Sequence, residues 1–211
     1  MNKQLTDRQQ DVLKCALEII REEGMKELTF RRIAERLDLT EPAIYRHFKS
    51  KNELIETLYH YTKSKLKELT SPALDQDLTP VEALHKLLKI LLEHMEQVDA
   101  VYLTLLGNCV IQKNDHWRDL MANALELLRA RSEEIIQRGI DSGTFRDDID
   151  LQITATAVMG LIQSRCIYYR LNPGGSRPSG AVEEVFALIL KGLAKESMNL
   201  PDNPLENDRG E

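Results

Sequence analysis

The sequence predicts an all-α protein of about nine helices. Apolar residues recur at three- and four-residue spacing through nearly all of its 211 residues. Helix-start signatures repeat, as Thr-x-x-Gln at Thr6–Gln9, Ser-x-x-Glu at Ser50–Glu53 and Thr-Pro-x-Glu at Thr79–Glu82. No segment sustains the alternation of a half-buried strand.

The elements follow in chain order. Thr6 caps a first helix whose Val12, Leu13, Ala16, Leu17 and Ile20 form an apolar stripe, and Gly24 ends it. Thr29 caps a short helix to Leu37, with Ile33, Ala34 and Leu37 inward. Asp38-Leu39 forms a turn, and Thr40 caps a second short helix from Glu41 to Phe48. Pro42 lies in its first turn, where the missing N–H costs little. Ser50 opens a long helix to about Leu69, and residues 70–79 have linker composition. Helices are expected at about 80–97, 100–113 and 115–139, then a loop to Asp150, a helix from about 150 to 171 and a Gly/Pro/Ser-rich loop. A last helix spans about 181–196, and residues 199–211 read as a disordered tail.

Composition excludes several classes. With 42% apolar and 29% charged residues the chain is expected to fold, and no apolar run reaches the ~20 residues that span a bilayer. Three scattered cysteines, Cys15, Cys109 and Cys166, make neither a closed disulfide framework nor a metal knuckle. They read as buried, inert thiols, and the protein as cytoplasmic, without membrane contact. The formal charge of −6 argues mildly against a polyanionic partner. It is unevenly spread: residues 1–69 carry +2 and residues 70–211 carry −8.

The two short helices form a helix-turn-helix pattern. Ile33, Ala34, Leu39, Ile44 and Phe48 are its core positions, and small Ala34 lets the second helix approach closely. That helix suits a major groove ~12 Å wide, with Thr40, Tyr45, Arg46 and His47 able to donate to phosphates or base edges. The cations Arg31, Arg32, Arg46, Lys49 and Lys51 are expected on one side, away from Glu18, Glu22 and Glu23.

Residues 8–55 resemble the DNA-binding domain of the TetR family of transcriptional repressors. The resemblance rests on Ala16-Leu17, Gly24, Thr29, Ile33-Ala34, Leu39-Thr40, the run Ile44-Tyr45-Arg46-His47-Phe48, Lys51 and Leu54. It implies a helix-turn-helix domain over 1–50, a ligand-binding and dimerisation domain over 51–198, and a homodimer on a palindromic DNA operator. It assigns DNA contacts to Thr29, Arg31, Thr40, Glu41, Pro42, Ala43, Tyr45, Arg46, His47 and Lys51. Tyr45, His47 and Lys51 would hold phosphates, and Arg46, whose fork matches a guanine edge or a phosphate, is the best readout candidate. Asp38 stands where the family often has Gly, and Pro42 where it often has Gly or a polar residue, so base preference does not carry over.

The resemblance pairs the last two helices with their copies. In the last one Val182, Val185, Phe186, Ile189, Leu190 and Leu193 form a stripe that could meet a partner. The helix before it is apolar over more than one face, as for a core that also serves an interface. An adaptable apolar pocket is expected among Met95, Tyr102, Leu106, Trp117, Met121, Leu125, Met159 and Gln163, with His94, Asn108 and Ser164 as further polar candidates. The expected effector is small and largely apolar. No cofactor, metal or enzyme activity is expected: Glu56/His60 and Glu82/His85 lack a third ligand nearby in sequence. The alternative is a DNA-binding protein of this fold without a small-molecule effector, acting through protein partners.

Overall fold

The computed structural model describes residues 5–112, 115–172 and 174–195, with side chains left out for 99–117. The expected tail at 199–211 lies outside the described residues, as do the side chains of Tyr102, Leu106, Asn108, Cys109 and Trp117.

The described residues hold eight α-helices and no strand. They are α1 (Asp7–Glu22), α2 (Phe30–Leu37), α3 (Glu41–Tyr45), α4 (Lys51–Thr70), α5 (Pro80–Gln112), α6 (Asp115–Asp141), α7 (Leu151–Leu171) and α8 (Val182–Leu193). Short 3-10 turns lie at Met25–Glu27, Ser71–Leu74 and Pro178–Ala181. The chain forms two compact units, Met1–Leu66 with Gln97–Ala124, and Lys67–Glu96 with Leu125–Glu211.

The helix starts follow the capping chemistry. Thr6 accepts from the Gln9 N–H at 3.3 Å while Gln9 Oε1 takes the Thr6 N–H at 3.1 Å. Thr79 and Glu82 repeat the reciprocal pair, with Glu82 accepting the Thr79 N–H at 2.8 Å. At Ser50 the box is shifted by one: Ser50 Oγ accepts the Glu53 N–H at 3.2 Å, but the Glu53 carboxylate takes the Lys49 N–H, at 2.7 Å. Asp150 caps α7 through the Ile153 N–H at 2.9 Å.

Two expected boundaries differ. The helices anticipated at 80–97 and 100–113 are one helix, α5, of 33 residues. Val98-Asp99-Ala100 contains neither Gly nor Pro, so nothing local stops the i→i−4 ladder, and Asp99 stays within the helix instead of capping a new one. The second short helix ends at Tyr45 rather than Phe48. His47 and Phe48 both turn their N–H onto the Ile44 carbonyl, at 2.9 and 3.0 Å, which tightens the last turn.

The first unit packs around Val12, Leu13, Ala16, Ile19, Ile33, Ile44, Phe48, Leu54 and Leu58, all at most 1% exposed. Gly24 sits at φ 94°, ψ 166°, a conformation closed to residues with a Cβ, and so lets the chain reverse after α1. Tyr59 is fully buried on α4, and its hydroxyl donates to the Leu120 carbonyl. In the second unit the Phe145 ring lies directly against Gly139, leaving no room for a Cβ there. Arg146 N–H then bonds the Leu193 carbonyl at 2.9 Å, tying the α6–α7 loop to the end of α8.

The apolar stripe of α8 faces its own chain. Val182, Phe186, Ile189, Leu190 and Leu193 are all buried, with Phe186 1% exposed, and Val185 is half-buried. Five of the six residues expected at a dimer interface are thus already covered within their own chain, as in a helix docked on its own core. On the last two helices the exposed large apolar residues are Ile153, Leu161, Ile167, Tyr168 and Leu171 on α7, and Leu188 on α8.

Candidate nucleic-acid interface

The turn between α2 and α3 is made by Asp38, the single non-glycine residue with positive φ among the described residues (φ 52°, ψ 48°). Asp tolerates this left-handed geometry better than most residues, so Gly is not required. The Leu39 N–H closes onto the Ala34 carbonyl at 2.9 Å, and α3 then packs on α2 through buried Ile44.

With Ile44 and Phe48 held inward, their neighbours point outward. Thr40, Pro42, Tyr45 and Arg46 are exposed, while Glu41, Ala43 and His47 are half-buried. Thr40 caps α3 with its backbone only, which leaves its hydroxyl uncommitted to the cap. Tyr45 is 51% exposed, and its ring stands edge-on to buried Phe30 at 4.7 Å and 80°. The contact braces the ring on α2 and leaves the phenol end in solvent. Thr29 caps α2 by accepting the Arg32 N–H at 3.1 Å, which leaves its hydroxyl hydrogen to donate elsewhere.

The cations divide into two sets. Arg46 and Lys49 are exposed, and Lys51 extends from the start of α4 with Nζ 3.3 Å from the Met25 carbonyl. Arg31 is 80% exposed, with only a 3.5 Å pair to Glu35. Arg32 and Arg36 belong elsewhere. Arg32 pairs with Glu23 at 2.9 Å and Glu35 at 3.3 Å; Arg36 pairs with Glu22 at 2.7 Å and with Glu23. The hydrogen bond from Arg32 holds the Glu23 carboxyl below the usual range, and that from Arg36 does the same for Glu22. The same bonds, to Glu23 and to Glu22, hold Arg32 and Arg36 above the usual guanidinium value. Arg32 is thus removed from the expected basic face: its acidic partner comes from α1, and sequence spacing does not reveal that pairing.

A separate cleft lies within the second unit. Its enclosed space is about 10 Å³, room for about one water molecule, and it is lined by Leu91 and Met95 of α5, Leu128 of α6, and Met159, Ile162 and Gln163 of α7. Of the expected pocket residues, Met95, Met159 and Gln163 line it; buried Met121 and half-buried Leu125 do not. Leu91, Leu128 and Ile162 line it although no sequence signal separates them from ordinary core leucines and isoleucines.

The other candidate groups are engaged differently. Glu82 closes its capping box on Thr79, while His85 Nε2 lies 3.0 Å from Glu183 and its ring stands edge-on to Phe186 at 4.9 Å. Cys15 and Cys166 are buried, and burial pushes the Cys15 thiol upward, away from the reactive thiolate. Among the described residues no helix is long and apolar enough to cross a membrane.

Comparison with known proteins gives a consistent picture. Residues 12–58 match the model for bacterial regulatory proteins of the tetR family, and residues 80–173 match the tetracyclin repressor-like C-terminal domain. The chain is 22% identical over 186 residues to the nucleoid occlusion factor SlmA of Vibrio campbellii, covering 87% of this chain and 94% of that one. It is 24% identical over 203 residues to the HTH-type transcriptional repressor KstR2 of Mycobacterium tuberculosis, covering 92% and 97%. The solved structure of that ketosteroid regulator superposes with a TM-score of 0.71 over 92% of this chain and 98% of that one, at 22% identity. A transcriptional regulator from Saccharomonospora viridis, solved with choline, superposes at 0.80 over 90% and 100%, at 20% identity.

Proposed function

Because this chain belongs to the TetR family of DNA-binding transcription regulators, whose members are not enzymes, we propose that it is a ligand-responsive repressor binding a palindromic operator as a homodimer. The observation that carries the DNA reading is the split of the recognition segment. Ile44 and Phe48 anchor it in the core while Thr40, Pro42, Tyr45 and Arg46 stand in solvent. Residues 1–50 act as the DNA-binding domain, and residues 51–198 as the ligand-binding and dimerisation domain. Arg46, Thr40, Glu41, Pro42 and Ala43 read the groove, and Thr29, Arg31, Tyr45, His47 and Lys51 hold the backbone. As a regulator of this family it works on cytoplasmic DNA.

The effector opens the cleft lined by Met95, Met159 and Gln163 and favours a conformer in which the paired recognition helices no longer match successive grooves. Choline in the S. viridis regulator is a cation; the lining here carries no charge of either sign and suits an uncharged, apolar molecule. A dimer is supported by the exposed apolar side chains of α7 and α8, which a second copy would cover.

The test is in two parts. An operator selected from random DNA is expected to be palindromic, and Arg46→Ala is expected to alter which sequences win; unchanged preference removes Arg46 from readout. Compounds are then screened for release of that operator, and Met159→Trp, which fills the cleft, is expected to abolish release. A second reading is a DNA-binding protein acting through protein partners without an effector; SlmA, to which the chain is similar, is named a nucleoid occlusion factor and not a repressor. Operator binding that no compound releases would decide for it.

A further inference from the structure

We infer that two copies of this chain pair their α8 helices antiparallel across the face that carries Leu188, with Glu184 of each copy against the partner's Lys191, and that this charge pair selects which chains dimerise. The inference rests on the homodimer reading above and adds to it an orientation, a register and the residues that choose the partner.

Its first support is the face itself. At about 100° per residue, Glu184, Leu188 and Lys191 fall within about 60° of one another around α8. All three are exposed, Leu188 by 60%. Phe186, Ile189, Leu190 and Leu193 are buried on the other side of the helix, so docking of that stripe turns Leu188 and its two charged neighbours outward. An outward leucine gains by being covered.

The second support is charge. Glu184 and Lys191 stand seven residues apart, beyond the three- and four-residue spacings at which side chains of one helix pair. Neither has a hydrogen bond or ion pair among the described residues, whereas the adjacent Glu183 is taken by His85 at 3.0 Å. The third support is symmetry. A two-fold axis perpendicular to α8, passing between Ala187 and Leu188, sets each Glu184 opposite the partner's Lys191 and each Leu188 opposite the small, half-buried Ala187. Parallel helices in the same register would set Glu184 against Glu184 and Lys191 against Lys191. Like charges held face to face are repelled, so the antiparallel arrangement is the one this surface fits. The exposed apolar side chains of α7, in the same compact unit, supply most of the area to be covered, and the α8 charges supply selectivity.

The test uses full-length Glu184→Lys and Lys191→Glu, alone, combined in one chain and mixed. Dimer dissociation constants are read by analytical ultracentrifugation at low salt, and pairing by native mass spectrometry with one chain tagged. Each single variant places two like-charge contacts in its own homodimer and is expected to dimerise about tenfold more weakly than the wild type, less so at high salt. The two single variants mixed are expected to form the heterodimer at near wild-type affinity, because both pairs return with their signs exchanged. The chain carrying both substitutions is expected to pair with itself and to exclude the wild type. A double-mutant cycle between Glu184→Gln and Lys191→Gln, which reverses no charge, is expected to show coupling in the dimer constant and none in the melting temperature of the monomer. Charges that only complement the ends of their own helix give no heterodimer preference and no coupling, and that result overturns the inference. It leaves the homodimer reading standing if the wild type is a dimer that Leu171→Glu dissociates. A wild type that stays monomeric at every concentration overturns both.

Discussion

At the level of single residues, two positions make clear energetic demands. His94 is held neutral by burial, its pKa pushed down to about 4. In the unfolded chain the same imidazole titrates near ~6.5. Between those values the unfolded state binds a proton that the folded state refuses, so stability is complete above ~pH 6.5 and falls as pH drops toward ~4. The expected loss by pH 4 is about 3 kcal/mol, read from denaturant unfolding across ~pH 4–7.5, and His94→Leu is expected to flatten that slope. Gly139 is the second position. Any Cβ there meets the fully buried ring of Phe145, so Gly139→Ala is expected to cost about 1–3 kcal/mol through overpacking, despite the better helix propensity of alanine. A melting temperature at or above wild type would show that the ring has room to move. Lys51 makes a demand of another kind. Its replacement by alanine is expected to lower the salt slope of operator binding by about one, weakening all sequences alike, and an unchanged slope removes it from the phosphate contacts.

At the level of elements, the most legible features in the sequence were those set by neighbours a few residues apart. The caps at Thr6, Thr29 and Thr79 form as their side-chain chemistry dictates, and Asp38 takes the left-handed turn. The less legible features depend on partners distant in sequence. Glu23 gathers both Arg32 and Arg36, so α1 and α2 are joined by an ion-pair network that occupies two guanidiniums, one of them expected on the basic face. The Glu22 and Glu23 carboxylates sit below their ordinary pKa, so their contribution is present above ~pH 4.3 and lost as pH falls further. Glu23→Gln is expected to speed amide exchange in α2 and, by freeing Arg32, to raise affinity for non-operator DNA at low salt. Unchanged exchange would show that hydrophobic packing alone fastens α2. The merging of two expected helices into α5 has the same origin: capping residues argue for a start, but only packing decides whether the preceding helix stops.

At the level of the whole molecule, periodicity identified apolar faces without saying what covers them. The α8 stripe from Val182 to Leu193 is regular enough for either fate, and its burial assigns it to the chain's own core. The face left in solvent belongs chiefly to α7, from Ile153 to Leu171, which is 19 residues spanning about 27 Å along the helix. Ile153 is 69% exposed, Tyr168 60% and Leu171 75%, a concentration that soluble monomers seldom display. Small residues lie among them, including Thr156, Ala157, Gly160 and Ser164, all exposed, and would let a second helix approach closely. A second copy placed here would leave each subunit's recognition segment intact, so the two faces are separable by mutation. Leu171→Glu is expected to shift the mass in light scattering from that of a dimer to 24.2 kDa, to leave the melting temperature nearly unchanged at low concentration, and to abolish binding to a two-half-site operator. Phe186→Ala is expected to do the opposite: to lower stability by about 3–5 kcal/mol through a core cavity, with dimers persisting wherever the chain stays folded. Dimers that survive Leu171→Glu but dissociate on Phe186→Ala without loss of stability would return the interface to the α8 stripe.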